Sequence, residues 1–438
     1  MDKQEISNKI LTPISAFKYS FPLMIGALGS AILLFIDRIM LAMYSTESMN
    51  AVAYASTILM IGQIALITIC NSSEVICGYL FIRSRFQEMR KATWQSLWVL
   101  VLLTPLLSIG LILIVSKLEL DLLAKSYLYL LLGFIWTPAF SAAMSGFFNS
   151  QQRSNVYVKS IWLANIFNIV FNGILIFGVS SYIEPMGVKG AAISTIIGYL
   201  AQAVYLFINF INENNKSLRI FELSLDTKLI KKYLSLGVPH SLSQIAEFGI
   251  WLMFFTFSKW LGPNQITILS YMQTFCFLYM FVLVGIGKSV TILASQYFSS
   301  NNISLLPHML KSFFTIHVVM LLILFLTLLI GKTIMMYFFP LVLFPVLSVF
   351  GAVGYLFFEA FRFIYIGVLL AKDDSIQIFI NNIFVSFFLL VLPISFSIYF
   401  ELVLSEHILL SMIITYVAAV SIALQLRARK NFKQFILN

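Results

Sequence analysis

Residues 20–44 read SFPLMIGALGSAILLFIDRIMLAMY, and this stretch decides the fold class. Nearly every position is apolar, and a helix that crosses a bilayer needs about 20 such residues in a row. The stretch therefore predicts a transmembrane helix. Pro22 and Gly26 fall in its first turns, where the missing backbone donor of proline lets a helix bend. We interpret them as a hinge or, alternatively, as ordinary packing positions of a membrane helix.

The composition extends this prediction to the whole chain of 438 residues. Charged residues make up 11% of it and hydrophobic residues 60%, whereas a soluble domain carries about 25% charged residues. The sequence predicts an all-α polytopic membrane protein with twelve transmembrane helices. The predicted spans are 14–44, 51–82, 92–115, 125–148, 159–179, 188–211, 234–258, 265–298, 312–330, 341–370, 377–400 and 408–426.

A polar and basic segment, residues 212–233, separates six spans from six. We therefore predict an N-lobe at 1–211, a cytoplasmic linker at 212–233 and a C-lobe at 234–438. Both lobes begin with a proline at the start of an apolar helix, Pro22 and Pro239. Internal repeats of this kind are typical of secondary transporters, whose binding sites lie between the repeats near the bilayer midplane. The sequence thus predicts two pseudo-symmetric six-helix lobes.

The net charge of +10 indicates membrane topology. Most Lys and Arg fall in loops that share one side of the membrane, such as the segments 83–91 and 427–430. This bias predicts that both termini are cytoplasmic, in a bacterial inner (plasma) membrane. It also favours the lipid bilayer, and not nucleic acid, as the partner of the basic residues.

The sequence lacks recognisable catalytic motifs. It has no G-x-x-x-x-G-K-[ST] phosphate loop, no H-E-x-x-H and no paired Cys motif. We therefore predict that the protein is not an enzyme, has no cofactor and binds no metal beyond a possible Na⁺. Any pumping would draw on an ion gradient, which supplies about 2.3 kcal/mol per charge and 100 mV.

Four carboxylates, Asp37, Glu74, Glu247 and Glu359, lie inside predicted spans. A charged side chain at the bilayer centre costs about 2.5–3.5 kcal/mol on insertion scales. Such residues usually face a protein interior or a water-filled cavity, and they mark ion or substrate pathways. Glu74 has no basic neighbour in sequence. It is either a protonation site or close enough to the interface to stay hydrated.

Asn165, Asn168 and Asn172 follow one another at helical spacing in the fifth span, so their amides share one face. With Asp37 they would form an oxygen-rich pocket that suits H⁺ or Na⁺ as a coupling ion. The alternative is hydrogen bonding between helices, which asparagine also provides in membranes. Arg38 projects about 100° away from Asp37 and is a poor partner for it.

Glu359 and Arg362 are three residues apart and share a helical face. They are either part of a substrate or ion site together with Glu247, or a structural ion pair that only serves membrane insertion. Lys288 lies deep in the eighth span, and we expect it to pair with Glu247 or Glu359, because an unpaired lysine there would lose its proton.

Taken in order, these residues resemble the multidrug and toxic compound extrusion (MATE) transporters of the multidrug/oligosaccharidyl-lipid/polysaccharide (MOP) exporter superfamily. The resemblance extends over essentially the whole chain. It rests on Pro22 with Asp37-Arg38-Ile39-Met40, Asn168-x-x-x-Asn172 with Gly178, Gly190-Ala191-Ala192-Ile193-Ser194-Thr195, Gly237-Val238-Pro239 with Glu247, Gly285-Ile286-Gly287, and Glu359 ahead of Lys372-Asp373-Asp374.

The resemblance implies two six-helix lobes that alternate between inward-open and outward-open states. It also implies a cation site in the N-lobe and, as in some members, a second site in the C-lobe. The corresponding residues are Asp37, Asn168, Asn172 and Ser194 in the N-lobe and Glu247 and Glu359 in the C-lobe. Arg38, Lys288 and Glu74 depart from the family pattern. The extra cations weaken the case for a broad cationic-drug pump and leave room for anionic or zwitterionic substrates.

We therefore expect a monomeric secondary active exporter, an antiporter of small organic compounds that are amphipathic or aromatic, driven by an H⁺ or Na⁺ gradient. The first alternative is a lipid-linked oligosaccharide flippase, which would need a lumen rich in Arg and Lys. The second is a non-transporting membrane scaffold, in which replacing Asp37 or Glu247 would leave function unchanged.

Overall fold

The computed structural model describes residues 12–180, 182–212, 224–261, 263–338, 346–402 and 404–436. Within these ranges the chain is almost entirely helical, and its strand-type pairing is one isolated bridge between Val179 and Ile183. A helix satisfies its own backbone hydrogen bonds, as a lipid environment requires. The predicted all-α fold class is confirmed.

The helices follow one another along the chain with short connections. Before residue 213 they are α1 (Pro13–Tyr44), α2 (Thr46–Ile82), α3 (Phe86–Lys117), α4 (Leu122–Gly133), α5 (Trp136–Ser150), α6 (Ser154–Phe177) and α7 (Val188–Ile211). After residue 223 they are α8 (Thr227–Leu261), α9 (Pro263–Ser300), α10 (Leu306–Phe338), α11 (Val346–Ala371), α12 (Ser375–Ser386), α13 (Leu392–Tyr399) and α14 (Glu406–Ile436). A 3₁₀ turn, Ile303–Leu305, precedes α10, and a π-helical turn, Phe387–Val391, joins α12 to α13.

Eleven helical segments of the described residues are long and apolar enough to cross a membrane. Two of them combine shorter helices, α4 with α5 and α12 with α13. Helix α8 covers the predicted span 234–258 but is not among the eleven. The predicted span 341–370 begins within residues 339–345, which lie outside the described residues.

The predicted span 125–148 is interrupted where α4 ends and α5 begins. Pro138 explains the break, because its ring would clash with the carbonyl of residue 134 in a continuous helix. That carbonyl, of Phe134, instead accepts hydrogen bonds from the backbone N–H of Thr137 at 3.0 Å and from its hydroxyl at 2.8 Å.

The chain forms two compact units. The first, which we call the N-unit, is Ile25–Ser241, and the second, the C-unit, is Leu242–Asn438 together with Met1–Met24. Both boundaries fall inside helices. Each lies two residues beyond a proline, Pro22 in α1 and Pro239 in α8. The predicted lobe limits at residues 211 and 234 stay a prediction.

Candidate functional site

Asp37 on α1 is the centre of a buried polar cluster in the N-unit. Its side chain is 3% exposed. Oδ1 accepts hydrogen bonds from Nδ2 of Asn168 at 2.9 Å and Nδ2 of Asn172 at 2.5 Å, while Oδ2 accepts one from the Thr195 hydroxyl at 2.8 Å. Three neutral donors from α6 and α7 therefore stabilise this carboxylate.

Two glycines bring the helices of the cluster close together. Gly29 on α1 leaves room for Ile161 of α6, and a side chain at Gly198 on α7 would meet the carbonyl oxygen of Ala164 on α6 at 2.8 Å. Such small residues let helix backbones approach within a membrane. The resulting contacts place the Asn168 and Asn172 amides against the single acid of α1.

The N-unit cluster differs from its prediction in two residues. The Ser194 hydroxyl donates to the carbonyl of Gly190 on its own helix at 2.8 Å, and the neighbouring Thr195 contacts Asp37 instead. Adjacent helical residues point about 100° apart, so only one of the two can face α1. Asn165 donates to the backbone carbonyls of Gly29 at 3.0 Å and Ile161 at 2.9 Å, not to the carboxylate.

A further acceptor lies beside the carboxylate. Oδ1 of Asn172 is buried, and among the described residues it has no hydrogen-bond donor. The Asn172 amide also donates to Oδ1 of Asn168 at 3.1 Å. Carboxylate and amide oxygens together are ligands that suit a hard monovalent cation or a proton. Arg38, the adjacent cation in sequence, is exposed.

Arg362 is the centre of the second polar cluster, in the C-unit. Its guanidinium donates to Glu247 Oε2 at 2.6 Å and Oε1 at 2.5 Å, and to Glu359 Oε2 at 2.8 Å, with a further short contact to Glu359 Oε1. The side chains of Arg362 and Glu359 are 3% and 0% exposed, and that of Glu247 is 13% exposed. One guanidinium thus contacts both acidic side chains in a forked geometry.

The predicted partner of these acids, Lys288, lies half-buried on α9. Arg362 makes the forked contacts to Glu247 and Glu359. The predicted pairing of Lys288 with one of the acids stays a prediction.

A hydrogen-bond chain one helical turn before Glu247 escaped the sequence analysis. Asn382 on α12 donates to the Ser243 hydroxyl of α8 at 2.9 Å, and its own oxygen accepts from the Tyr416 hydroxyl of α14 at 2.7 Å. All three side chains are buried. These hydrogen bonds connect α8 to α12 and α14 beside the cluster of Arg362. The three residues are far apart in sequence, so no spacing rule could have predicted that they meet.

Glu74 is buried at the contact of α2 with α5, with 3% of its surface exposed. Its Oε1 accepts from the Ser145 hydroxyl at 3.1 Å and from Asn149 Nδ2 at 3.5 Å. This burial favours the alternative of a protonation site over that of a carboxylate that stays hydrated near the interface, and both stay predictions. Neighbouring Ser73 donates to the carbonyl of Ala142 at 3.1 Å, so this contact joins the two helices through polar groups.

Gly146 is the closest point of that helix contact, and replacing it tests the packing. A side chain there would overlap the backbone carbonyl of Ser73, which cannot move without shifting α2. We expect Gly146→Ala to destabilise the protein by about 1–3 kcal/mol, as overpacking does, and to lower the midpoint of thermal unfolding in detergent. Gly110→Ala is the matched control, because no atom lies within 4 Å of its added methyl group. Equal midpoints for the two variants would contradict the packing argument.

The predicted hinge residues lie on either side of a unit boundary. Pro22 belongs to the C-unit and Gly26 to the N-unit, because the division of α1 falls between Met24 and Ile25. Helix α1 continues through Pro22. A methyl group added at Gly26 would lie 3.2 Å from Ile161, so this glycine also serves packing against α6.

Comparison with known proteins confirms the resemblance. Residues 22–174 match the family model MatE. A MATE structure solved in complex with MaD5 superposes with a TM-score of 0.83 at 17% identity, over 100% of both chains. An outward-facing multidrug resistance MATE transporter of the MOP superfamily gives 0.80 at 18% identity, over 100% of this chain and 99% of that one.

A third similar structure is a MOP superfamily transporter from Pyrococcus furiosus, described by a reverse polarity of its binding pocket that suggests a different function. Its TM-score is 0.81 at 18% identity, over 99% of this chain and 98% of that one. A comparison with curated protein sequences gives no match. The chain therefore has the MATE fold over its whole length.

Proposed function

We propose that this chain, which has the MATE fold, is a secondary active exporter that exchanges H⁺ or Na⁺ for small organic molecules across a bacterial inner membrane. The observation that carries the proposal is the buried Asp37 carboxylate, held by Asn168, Asn172 and Thr195 from two other helices. A purely structural contact would not need an ionisable group at this depth, where charge is costly.

The coupling ion would bind at Asp37. Protonation or Na⁺ binding removes the negative charge that the three donors now stabilise, so the preferred contacts of α1 with α6 and α7 change with the bound ion. The buried Oδ1 of Asn172 offers an additional oxygen to either ion. Because a unit boundary crosses α1 between Pro22 and Gly26, a rearrangement of α1 would link ion binding to alternating access.

The cluster of Glu247, Glu359 and Arg362 would serve the substrate rather than the coupling ion. A second cation would have to compete with a guanidinium that already contacts both carboxylates. Glu247 is the most exposed of the three side chains and would meet the substrate first. Because the cluster combines a guanidinium with two acidic side chains, it suits zwitterionic or polar aromatic compounds better than strongly cationic ones.

The flippase alternative has less support. Holding a lipid pyrophosphate would need available cations, and the guanidinium of Arg362 is engaged by two acidic side chains. A scaffold role would not account for the buried acidic side chain of Asp37.

We further propose that the protein acts as a monomer, with both termini in the cytoplasm and no cofactor other than the coupling ion.

Reconstitution of the full chain in liposomes tests the proposal. Proton and Na⁺ gradients are imposed separately, and the movement of a panel of cationic, zwitterionic and anionic dyes is followed by fluorescence. We expect dye movement that depends on one of the two gradients and is accompanied by counterflow of that ion. Dye movement that does not depend on either gradient would favour the flippase. The absence of both dye flux and ion flux would favour the scaffold.

A further inference from the structure

A cavity of about 330 Å³ opens at the end of the C-unit where α10 begins and α14 ends. Two cations line it, Lys311 from α10 and Arg429 from α14. Both side chains are exposed, and neither forms an ion pair among the described residues. The described residues that line the cavity include no acid. Among the residues that the structure describes, the cavity therefore presents two positive charges from separate helices without an acidic partner.

The neighbouring basic residue behaves differently. Arg427, two residues before Arg429, pairs with Asp374 at 2.7 Å and 3.2 Å. Arg427 is thus neutralised by an acid, whereas the two cations that line the cavity have no acidic partner within the described parts of the chain.

The inner wall of the cavity is apolar. Phe314 of α10 and Phe361 of α11 pack with their ring centroids 4.3 Å apart, and Leu310 and Ile364 complete the wall. Farther along the same helices, Val319 is 50% exposed and Phe357 is 37% exposed. An apolar surface therefore continues from the two cations along the length of a membrane-spanning helix.

We propose that this cavity binds an anionic phospholipid of the surrounding leaflet. The phosphate would lie between Lys311 and Arg429, and an acyl chain would pack over Phe314 and Phe361. An amphiphile with one negative end and one apolar end matches both halves of the cavity, whereas a soluble anion would use only the rim. Basic pockets between membrane helices on the cytoplasmic side bind anionic lipid headgroups by this combination of contacts. The site is independent of the proposed transport activity.

Native mass spectrometry of the purified full chain tests this site. The protein is titrated with phosphatidylglycerol or phosphatidylcholine of identical acyl chains, and the bound fraction is compared between wild type and the double variant Lys311→Gln/Arg429→Gln. Each basic residue near a phosphate contributes about a fivefold gain in affinity. We therefore expect the wild type to prefer phosphatidylglycerol, and the double variant to bind it about 30-fold more weakly.

Arg427→Gln/Lys430→Gln is the charge-matched control, because it removes two cations from the same helix end without changing the cavity lining. We expect it to bind phosphatidylglycerol as the wild type does. Equal loss in both double variants would overturn the proposal, and so would a wild type that does not distinguish the two lipids. Glycerol phosphate, which has the phosphate but no acyl chain, should not displace the lipid. Displacement would indicate a site for soluble phosphate and would also overturn the proposal.

Discussion

Asp37→Asn is expected to abolish gradient-driven transport while leaving the protein folded. Asparagine has the size of aspartate and keeps an Oδ1 that can accept from Asn168 and Asn172, as the carboxylate does now. The Thr195 hydroxyl can turn to accept from the new amide. What the variant loses is the group that takes up a proton or balances the charge of Na⁺. Counterflow in proteoliposomes should fall to the level of protein-free vesicles.

Two neighbouring hydroxyls provide controls for the Asp37 result. Thr195→Val removes a donor to the carboxylate, and a hydrogen bond to a charged group is worth about 1.5–3 kcal/mol. We therefore expect the affinity for the coupling ion to change by about 10-fold or more. Ser194→Ala removes a hydroxyl that donates to its own helix and should transport like the wild type. Coupled flux that survives Asp37→Asn would contradict the proposed ion site.

Arg362→Gln is expected to have the largest effect on stability. The substitution leaves the carboxylates of Glu247 and Glu359 close together in a buried site without their shared cation. Removing one partner from a buried ion pair typically costs about 3–5 kcal/mol. The unfolding midpoint in detergent should fall clearly, and expression of the variant should fall with it.

Two comparisons separate this effect from a general loss of charge. Arg427→Gln also removes an arginine from an ion pair, but that pair is partly exposed and should contribute about 1 kcal/mol or less. Adding Glu359→Gln to Arg362→Gln removes one of the two buried acidic groups that have lost their cation, and it should recover part of the lost stability. An Arg362→Gln variant as stable as Arg427→Gln would show that the cluster is not a structural ion pair.

Periodicity and composition predicted much of the helical framework. Apolar runs fix where helices lie in a membrane protein, because the lipid allows few other backbone structures. The Asn168 and Asn172 pairing was also predictable, since residues four apart share a helical face whatever the fold. For the same reason Glu359 and Arg362 could be placed together from the sequence.

The remaining contacts depend on how helices rotate against one another. Thr195 and Ser194 are adjacent and chemically alike, and only the packing of α7 against α1 decides which of them faces Asp37. The contact of Arg362 with Glu247 joins residues 115 positions apart, and periodicity within one helix carries no information about it. The burial of Glu74 likewise depends on Gly146 of another helix, whose role is visible only once the two helices pack.

Because the unit boundaries lie inside α1 and α8, the start of α1 belongs to the C-unit and the start of α8 belongs to the N-unit. Within the C-unit, Met24 of α1 packs so closely against Gly285 that a side chain at position 285 would not fit. Within the N-unit, Gly237 of α8 packs against Ile69 in the same way. The arrangement is an exchange of helix starts within a single polypeptide, comparable to the swapping of an element between two subunits. A cut between the halves would therefore not release two self-sufficient domains. Each fragment would carry a segment that the other needs, and the two would fold as a complementing pair.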